Sequence, residues 1–455
     1  MSNLRIGQVT DLHLRHHQPS SSDDLKRRSR DMVELLPLAL ERFKQEQIDF
    51  LVVTGDLLDV PSDIASVHDY YPNPYDGWEL HVREDYHLIK RLLDASEIPY
   101  AVLPGNHDSD RILHDVFASQ PTVLDLEHGF KIVSFYDREW AAHVPRRVDR
   151  ERRLMETVLA DKSKLPQIHL QHYVIHPDCT ARYPHNYYEA LELKQKIVDS
   201  GRVLLSLSGH YHAGSELIKI GETYFSTSPA FAEFPHPVRI YDIVEGVVSQ
   251  REIPLAERPL TDQKPCAFLD RDGVINAQAS YSTGPQELTL VPGSAEAIVK
   301  LHDAGFVVVV VTSQSCVGAG FVTTAVLTQV HDRLCDLLVQ ASGGDRTAQP
   351  DLIIASHGAG DDAVHPRWLD ISNAKPSATL LENAQALLGL AEEGAWMVGD
   401  RLTDYQAALN YGARFVLVRT GRGADAEAQL TKDGTNDVII VDSLSDAVPY
   451  ILGER

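Results

Sequence analysis

The sequence predicts two α/β domains joined in tandem. Three observations carry that expectation. The chain has 455 residues, more than one ordinary hydrophobic core organises. Two stretches alternate short apolar runs with amphipathic ones, the pattern of strands and helices in layered α/β folds. A polar, proline-bearing stretch at residues 254–265 lies between them, so the domains are expected at 1–256 and 264–455.

In the first domain strands are expected at 4–9, 50–54, 100–103, 131–135, 168–171 and 203–206, with helical patterns around 31–46 and 85–95. Beyond Gly209 the segments 216–220, 223–226, 238–244 and 247–253 read as short hairpin strands. The second domain runs strand 266–269, helix 295–304, strand 306–311, helix 323–340 and strand 352–355. It continues with helix 377–388, strand 395–398, helix 404–411 and strand 414–418.

Composition narrows the class. Four cysteines without a CxxC pair argue against a disulfide framework or a cysteine zinc site and suit a reducing cytoplasm. The strand at 4–9 leads straight into Asp11 and His13, too soon for a signal peptide. The most apolar run, 306–311, is strand-sized, whereas a membrane span needs about 20 apolar residues. The expected location is therefore cytoplasmic, with no membrane partner. A net charge of −23 repels polyanions, so tight binding of duplex DNA through its backbone is not expected.

Five short motifs end the predicted strands of the first domain. They are Asp11-x-His13, Gly55-Asp56-x-x-Asp59, Gly105-Asn106-His107-Asp108, His172, and Gly209-His210-x-His212. Strand ends are where α/β folds present chemistry, so motifs far apart in the chain can converge. Carboxylate, imidazole and one amide oxygen make a donor set for a pair of hard to borderline divalent metals. Such a pair binds both non-bridging phosphate oxygens and supplies a hydroxide for in-line attack. For the fourth motif the residues leave three histidines open: His172, or His169 or His176 in its place.

The ordered set resembles the calcineurin-like metallophosphoesterases across about residues 4–255. That resemblance implies a four-layer αββα sandwich holding two divalent metals, Mn, Fe or Zn. It assigns Asp11, His13 and His212 to the first metal. Asn106, His172 and His210 take the second, with Asp56 bridging and His107 over the leaving-group oxygen. Asp108, where some subfamilies carry Glu, leans toward the cyclic-nucleotide phosphodiesterase-like branch. Residues 60–84 add Tyr70, Tyr71, Tyr75 and Trp78, which either stack on a nucleobase or pack the loop on its scaffold.

The second domain opens with Asp270-Arg271-Asp272-Gly273, two carboxylates on one loop after an apolar strand. One carboxylate can attack phosphorus while the other handles protons. Thr312-Ser313-Gln314-Ser315, Lys375-Pro376 and Gly399-Asp400-x-x-x-Asp404 follow at later strand ends. These motifs look like those of haloacid dehalogenase-type phosphatases over about residues 264–453. The nearest subgroup is that of heptose-bisphosphate, histidinol-phosphate and polynucleotide 3′-phosphatases.

The resemblance implies a Rossmann-like α/β domain, here with intervals too short for a large cap. It makes Asp270 the nucleophile and Asp272 the proton donor and acceptor. Thr312, Ser313 and Lys375 would bind the phosphoryl group. Asp270, Asp272, Asp400 and Asp404 would serve Mg. Two departures stand out: the segment before Lys375 has no cysteine for a zinc loop, and Ala374 replaces an arginine. No structural zinc is expected, and a heptose substrate is in question. The expected function is a bifunctional phosphoester hydrolase, a di-metal phosphodiesterase joined to a Mg-dependent phosphomonoesterase. Its substrates would be phosphorylated small molecules, nucleotides or nucleic-acid ends.

Overall fold

The computed structural model describes residues 3–18, 26–60, 78–118, 120–163, 165–179, 183–278, 282, 284–391, 393–435 and 437–454. Residues up to Gln18 and Lys26–Glu257 form one compact unit, and Arg258–Arg455 belong to a second. Among the described residues no helix is long and apolar enough to cross a membrane.

The strands of the first unit are β1 (Leu4–Val9), β2 (Phe50–Thr54), β3 (Tyr100–Leu103), β4 (Val123–Asp125), β5 (Lys131–Ser134), β6 (Arg138–Glu139) and β7 (Pro145–Arg146). They continue with β8 (Gln167–Leu170), β9 (Val203–Ser208), β10 (Ile218–Ile220), β11 (Thr223–Thr227), β12 (Pro237–Val244) and β13 (Val247–Pro254). The helices are α1 (Met32–Gln45), α2 (Trp78–Ala95), α3 (Asp110–Val116), α4 (Asp149–Leu159) and α5 (Ala190–Ser200).

Two sheets form, in the orders β13-β12-β1-β2-β3 and β10-β11-β9-β8-β5-β4, with β6 and β7 pairing as a separate ribbon. The period-2 alternation of strands sorts the side chains. Ile6, Val52 and Leu103 of the first sheet meet Ile132, Ile168, Leu170 and Leu207 of the second in a shared apolar layer. On the far side of the second sheet, Val133 and Phe225 pack on Met155 and Val158 of α4 and Leu193 and Ile197 of α5. The result is the layered sandwich expected of this half.

The same alternation settles which face His169 occupies. Its neighbours Ile168 and Leu170 enter the inter-sheet layer, so His169 points to the opposite side. There it packs on Phe135 at 5.1 Å and bonds Gln167 Oε1 at 2.9 Å. Burial, with help from Arg147, pushes its pKa down to about 3. The unfolded chain takes up a proton near pH 6.5 and the folded one does not, so stability is complete above that pH and falls below it. Between pH 7 and pH 5 the loss should be about 2 kcal/mol. Urea unfolding at the two pH values should show it in wild type and a flatter response in His169→Gln. Equal losses in both proteins would exclude His169 as the cause.

The second unit has β14 (Cys266–Leu269), β15 (Val307–Ser313), β16 (Leu352–Ser356), β17 (Trp396–Gly399), β18 (Arg414–Val418) and β19 (Ile439–Val441). Its helices are α6 (Ser294–Asp303), α7 (Ser315–Gly318), α8 (Thr324–Ala341), α9 (Thr379–Leu388), α10 (Leu402–Tyr411), α11 (Gly423–Lys432) and α12 (Leu444–Ile451). All six strands are parallel in the order β16-β15-β14-β17-β18-β19. α6, α8 and α12 cover one face, and α9, α10 and α11 the other.

The chain order reverses between β14 and β17, the switch point where open parallel sheets form a crevice at their carboxyl ends. Sequence patterning ended the second domain's strands at 414–418. The structure adds α11, β19 and α12. β19 is a three-residue edge strand with two residues only half-buried, too short for a periodic signal.

Candidate metal centre and aspartate site

Every candidate ligand of the first unit sits just beyond a strand's carboxyl end. Asp11 and His13 follow β1, Asp56 follows β2, Asn106 and His107 follow β3, His172 follows β8, and His210 and His212 follow β9. The loops are forced to bend sharply. Asp11, His13, Asp56 and His210 have φ of 52°, 45°, 49° and 67°, the left-handed region that costs a residue bearing a Cβ. Gly55 has φ of 97°, and a Cβ there would lie 2.4 Å from His172 Nδ1. Local strain is thus concentrated on the residues that carry the ligating atoms.

Three overlapping groups result: Asp11 with His13 and His212; His13 with Asp56 and His107; and Asp56 with His172 and His210. Asp56 joins them. Its Oδ2 is 3.7 Å from His13 Nε2 and 3.4 Å from His172 Nε2, while Oδ1 accepts the His107 backbone N–H at 2.8 Å. On one side Asp11 Oδ1 is 3.6 Å from His212 Nε2, and the Nε2 atoms of His13 and His212 face each other at 3.4 Å. On the other, His172 Nε2 is 3.1 Å from Asn106 Oδ1, and the His172 and His210 rings are 4.9 Å apart.

His172 is therefore the histidine gathered here. His169 lies on the opposite face of β8, and His176 packs on Phe225 at 5.6 Å.

The outer atoms of these rings are held by the protein. His172 Nδ1 donates to the Thr54 carbonyl at 2.8 Å, and His212 Nδ1 pairs with Glu233 Oε1 at 2.6 Å. Both Nε2 atoms are thereby aimed inward, as in metal-bound imidazoles whose other nitrogen is held by the protein. Burial opposes a charge on His172, but Asp56 and Asp11 carry its pKa up to about 9. Burial likewise opposes His212, while Asp11 and Glu233 raise it to about 10. Burial and Arg27 push His13 down to about 4.

Asp11 Oδ1 and His210 Nε2 are buried without a hydrogen-bond partner. Inward imidazoles, unpartnered donor atoms and the carboxylates of Asp11 and Asp56 are a donor set that fits two divalent cations. Glu233→Gln should weaken cation binding at the Asp11, His13 and His212 group by about tenfold. Calorimetric titration with Mn²⁺ checks this, and an unchanged isotherm would deny Glu233 that role.

Asp108 accepts from the backbone N–H groups of Leu57, Leu58 and Gly105 and from the Tyr86 hydroxyl, at 2.9–3.1 Å. It staples the loops after β2 and β3 together. His107 Nδ1 lies 3.0 Å from Asp59 Oδ1, and its Nε2 lies 3.4 Å from Arg27 Nη1. Arg27 and Glu233 belong to no motif and left no sequence signal. Asp59 stood in the second motif without an assigned role. Of the aromatic segment, residues 61–77 fall outside the described residues, and Trp78 opens α2.

In the second unit Asp270 follows β14, Thr312 and Ser313 end β15, and Asp400 follows β17. Lys375 Nζ lies 2.8 Å from Asp270 Oδ1 and 2.5 Å from Asp404 Oδ1. Asp270, Asp400 and Asp404 form one buried carboxylate group. Asp400 Oδ2 accepts the Arg422 backbone N–H at 2.7 Å. Gly421, at φ of 60°, makes room for that oxygen, since a Cβ there would come within 2.1 Å. Burial raises Asp270 to about 7 against the pull of Lys375, and raises Asp400 to about 6.

One ammonium among three buried carboxylates leaves negative charge uncompensated. Asp400 Oδ1 also lacks a hydrogen-bond partner. The group fits a hard divalent cation.

Asp272, expected among the cation ligands, does not join it. Its carboxylate is taken by Arg271 Nε and Nη2 at 3.1 and 2.9 Å, and by Asn276 and Gln314 side-chain amides at 2.9 Å. Burial opposes its charge, but the adjacent guanidinium holds its pKa below the usual carboxylate range. Thr312 Oγ1 accepts from the Gln314 amide at 2.8 Å, and Ser313 Oγ accepts the Lys375 backbone N–H at 3.3 Å. Ser313 thus ties the β15 loop to the lysine loop.

A family model for calcineurin-like phosphoesterases matches residues 4–214, and one for HAD-hydrolase-like proteins matches residues 372–447. The D-glycero-beta-D-manno-heptose-1,7-bisphosphate 7-phosphatase of Pseudomonas putida is 36% identical over 179 residues, covering 39% of this chain and 94% of that protein. The crystal structure of a D,D-heptose 1,7-bisphosphate phosphatase from B. bronchiseptica, complexed with magnesium and phosphate, is 30% identical. It covers 42% of this chain and 99% of that one, with a TM-score of 0.36. A dimetal phosphatase from Danio rerio is 12% identical, covering 56% of this chain and all of that one, with a TM-score of 0.39. The chain belongs to the calcineurin-like phosphoesterases in its N-terminal half and to the HAD-like phosphatases in its C-terminal half, and is a two-domain phosphoester hydrolase.

Proposed function

We propose that the two sites act in succession, residues 1–256 cleaving a phosphodiester to a monoester and residues 264–455 releasing phosphate from it. The observation that best supports a diester-cleaving first site is Asp56, whose one carboxylate oxygen faces a candidate ligand histidine from each side. Such a shared carboxylate suits a cation pair, which supplies Lewis acidity toward both phosphate oxygens and a metal-generated nucleophile. We assign Mn, Fe or Zn to that pair. Asp11, His13 and His212 would hold one cation, and Asn106, His172 and His210 the other. His107, oriented by Asp59, stands at the rim where a leaving-group oxygen needs a proton.

In the second half Asp270 attacks phosphorus and the bond to the leaving oxygen breaks. Lys375, Thr312 and Ser313 hold the transferred group. Asp270, Asp400 and Asp404 would hold magnesium, which would offset the repulsion between carboxylate and phosphate dianion. Arg271 sets Asp272 up as the base for water in the second step. An arriving dianion raises the Asp272 pKa, so the same group can carry the proton for the first. The favoured substrates are cyclic nucleotides and nucleic-acid ends.

A second reading follows from the relatives, whose names specify the 7-phosphate of a heptose bisphosphate. In that case the aspartate site takes a phosphorylated sugar independently of the first. Incubation with Mn²⁺, Mg²⁺ and panels of cyclic nucleotides and sugar bisphosphates, following monoester and free phosphate separately, decides between them. Succession requires phosphate release from a cyclic nucleotide to depend on both sites. Release confined to sugar phosphates would reject it.

A further inference from the structure

Beside the metal centre the first unit presents a wall that no motif accounts for. It is formed by the β6–β7 ribbon and residues 183–188. The Tyr183 ring lies 5.6 Å from the ring of His210. His185 fills the corner, 5.3 Å from Tyr183 and 5.1 Å from His210. The Tyr183 hydroxyl bonds Glu139 Oε1 at 2.7 Å, and the other oxygen of Glu139 pairs with His143 Nδ1 at 3.0 Å. Tyr183 is thus clamped at its hydroxyl and at one edge.

The wall is nevertheless open to solvent. Tyr183, Trp140 and Tyr188 are 38%, 53% and 75% exposed. The Arg146 guanidinium lies 5.0 Å from the Tyr188 ring and 6.0 Å from that of Trp140. Large aromatic rings are ordinarily where burial stabilises a fold most. Three of them exposed on neighbouring segments, with an arginine beside two of them, mark a surface built for a ligand. Flat faces plus a guanidinium are the chemistry that holds unpaired nucleobases by stacking and cation–π contact.

We propose that this wall is the subsite for the nucleobase of a nucleotide phosphodiester, stacked on Tyr183 and Trp140 while its phosphate occupies the adjacent metal centre. The inference rests on the diester reading of that centre and adds the subsite that holds the base. Position favours it: Tyr183 touches the ring of a metal-ligand histidine, so a base bonded through its sugar to the reacting phosphate falls on this wall. Arg146 brings a guanidinium to the wall, where it also pairs with Glu189 Oε2 at 3.4 Å.

The test uses the full-length protein loaded with Mn²⁺. kcat and KM are measured for 2′,3′-cyclic AMP and for methyl riboside 2′,3′-cyclic phosphate, which lacks a base. Wild type should prefer the nucleotide by about tenfold or more in kcat/KM. Tyr183→Leu and Trp140→Leu should each lower that preference severalfold, through KM, and Tyr183→Phe should keep it.

A preference unchanged in all variants overturns the subsite. So does a proportional fall in kcat for both substrates in Tyr183→Leu, the mark of a strut for His210. If Tyr183→Leu does not fold, Trp140→Leu decides, because its ring is more than half exposed. Equal turnover of both diesters by wild type removes the subsite alone. Turnover of neither by metal-loaded protein removes the diester reading beneath it.

Discussion

Asp270→Asn should stop phosphomonoester turnover, lowering kcat by about ten-thousandfold, while diester cleavage continues and its monoester product accumulates. An amide has neither the charge nor the lone-pair basicity to attack phosphorus. It also strips the charge from one of the three carboxylates gathered for the cation, the one Lys375 holds at 2.8 Å. The fold should not suffer. Burial lifts Asp270 to about 7, so without metal the folded state prefers it protonated while the unfolded chain ionises it near 3.8. Such a group lowers stability progressively as pH rises from 3.8 to 7. Metal-free Asp270→Asn should therefore melt no lower than metal-free wild type at pH 7.5. Lost activity with a matching drop in Tm would signal misfolding. Full monoester turnover by the variant would remove Asp270 as nucleophile.

Asp56→Asn should have the complementary effect, a loss of about a thousandfold or more in diester cleavage with monoester turnover intact. The substitution separates two jobs of one carboxylate. An amide oxygen can still accept the His107 backbone N–H that Oδ1 takes at 2.8 Å, so the loop geometry survives. It cannot supply a charged oxygen to cations on both sides, where Oδ2 now stands 3.7 Å from His13 and 3.4 Å from His172. Metal analysis should find the N-terminal pair reduced to one cation or none. Retention of two metals with activity within tenfold of wild type would show that Asp56 does not bridge.

Much of the site was legible because its chemistry uses short local signals. Asn106 and His107 share one turn, His210 and His212 another, and each turn needs a glycine or a left-handed residue beside the ligating atom. Asp270 stood out because the first residue after a buried parallel strand points into the crevice. What escaped were partners brought from afar. Glu233 is 21 residues beyond His212, which it orients, and Arg27 reaches His107 from 80 residues away. A single carboxylate or guanidinium in a loop carries no periodicity. β19 escaped for a related reason, because three residues at a sheet edge do not make a pattern.

Alone, the amino-acid order determined that this chain holds two sets of candidate metal- and phosphate-handling groups and that each set ends the strands of its own α/β half. Those facts depend on residue type and local spacing, which turn chemistry and strand length already constrain. Only the folded chain decided which histidine after the 168–171 strand joins Asp56. That choice depends on the face His169 takes across β8 and on where the following loop leads. It also decided that Asp272 turns to Arg271 rather than to the cation group. There a neighbouring guanidinium and two side-chain amides offer a buried carboxylate more than a pocket already crowded with negative charge.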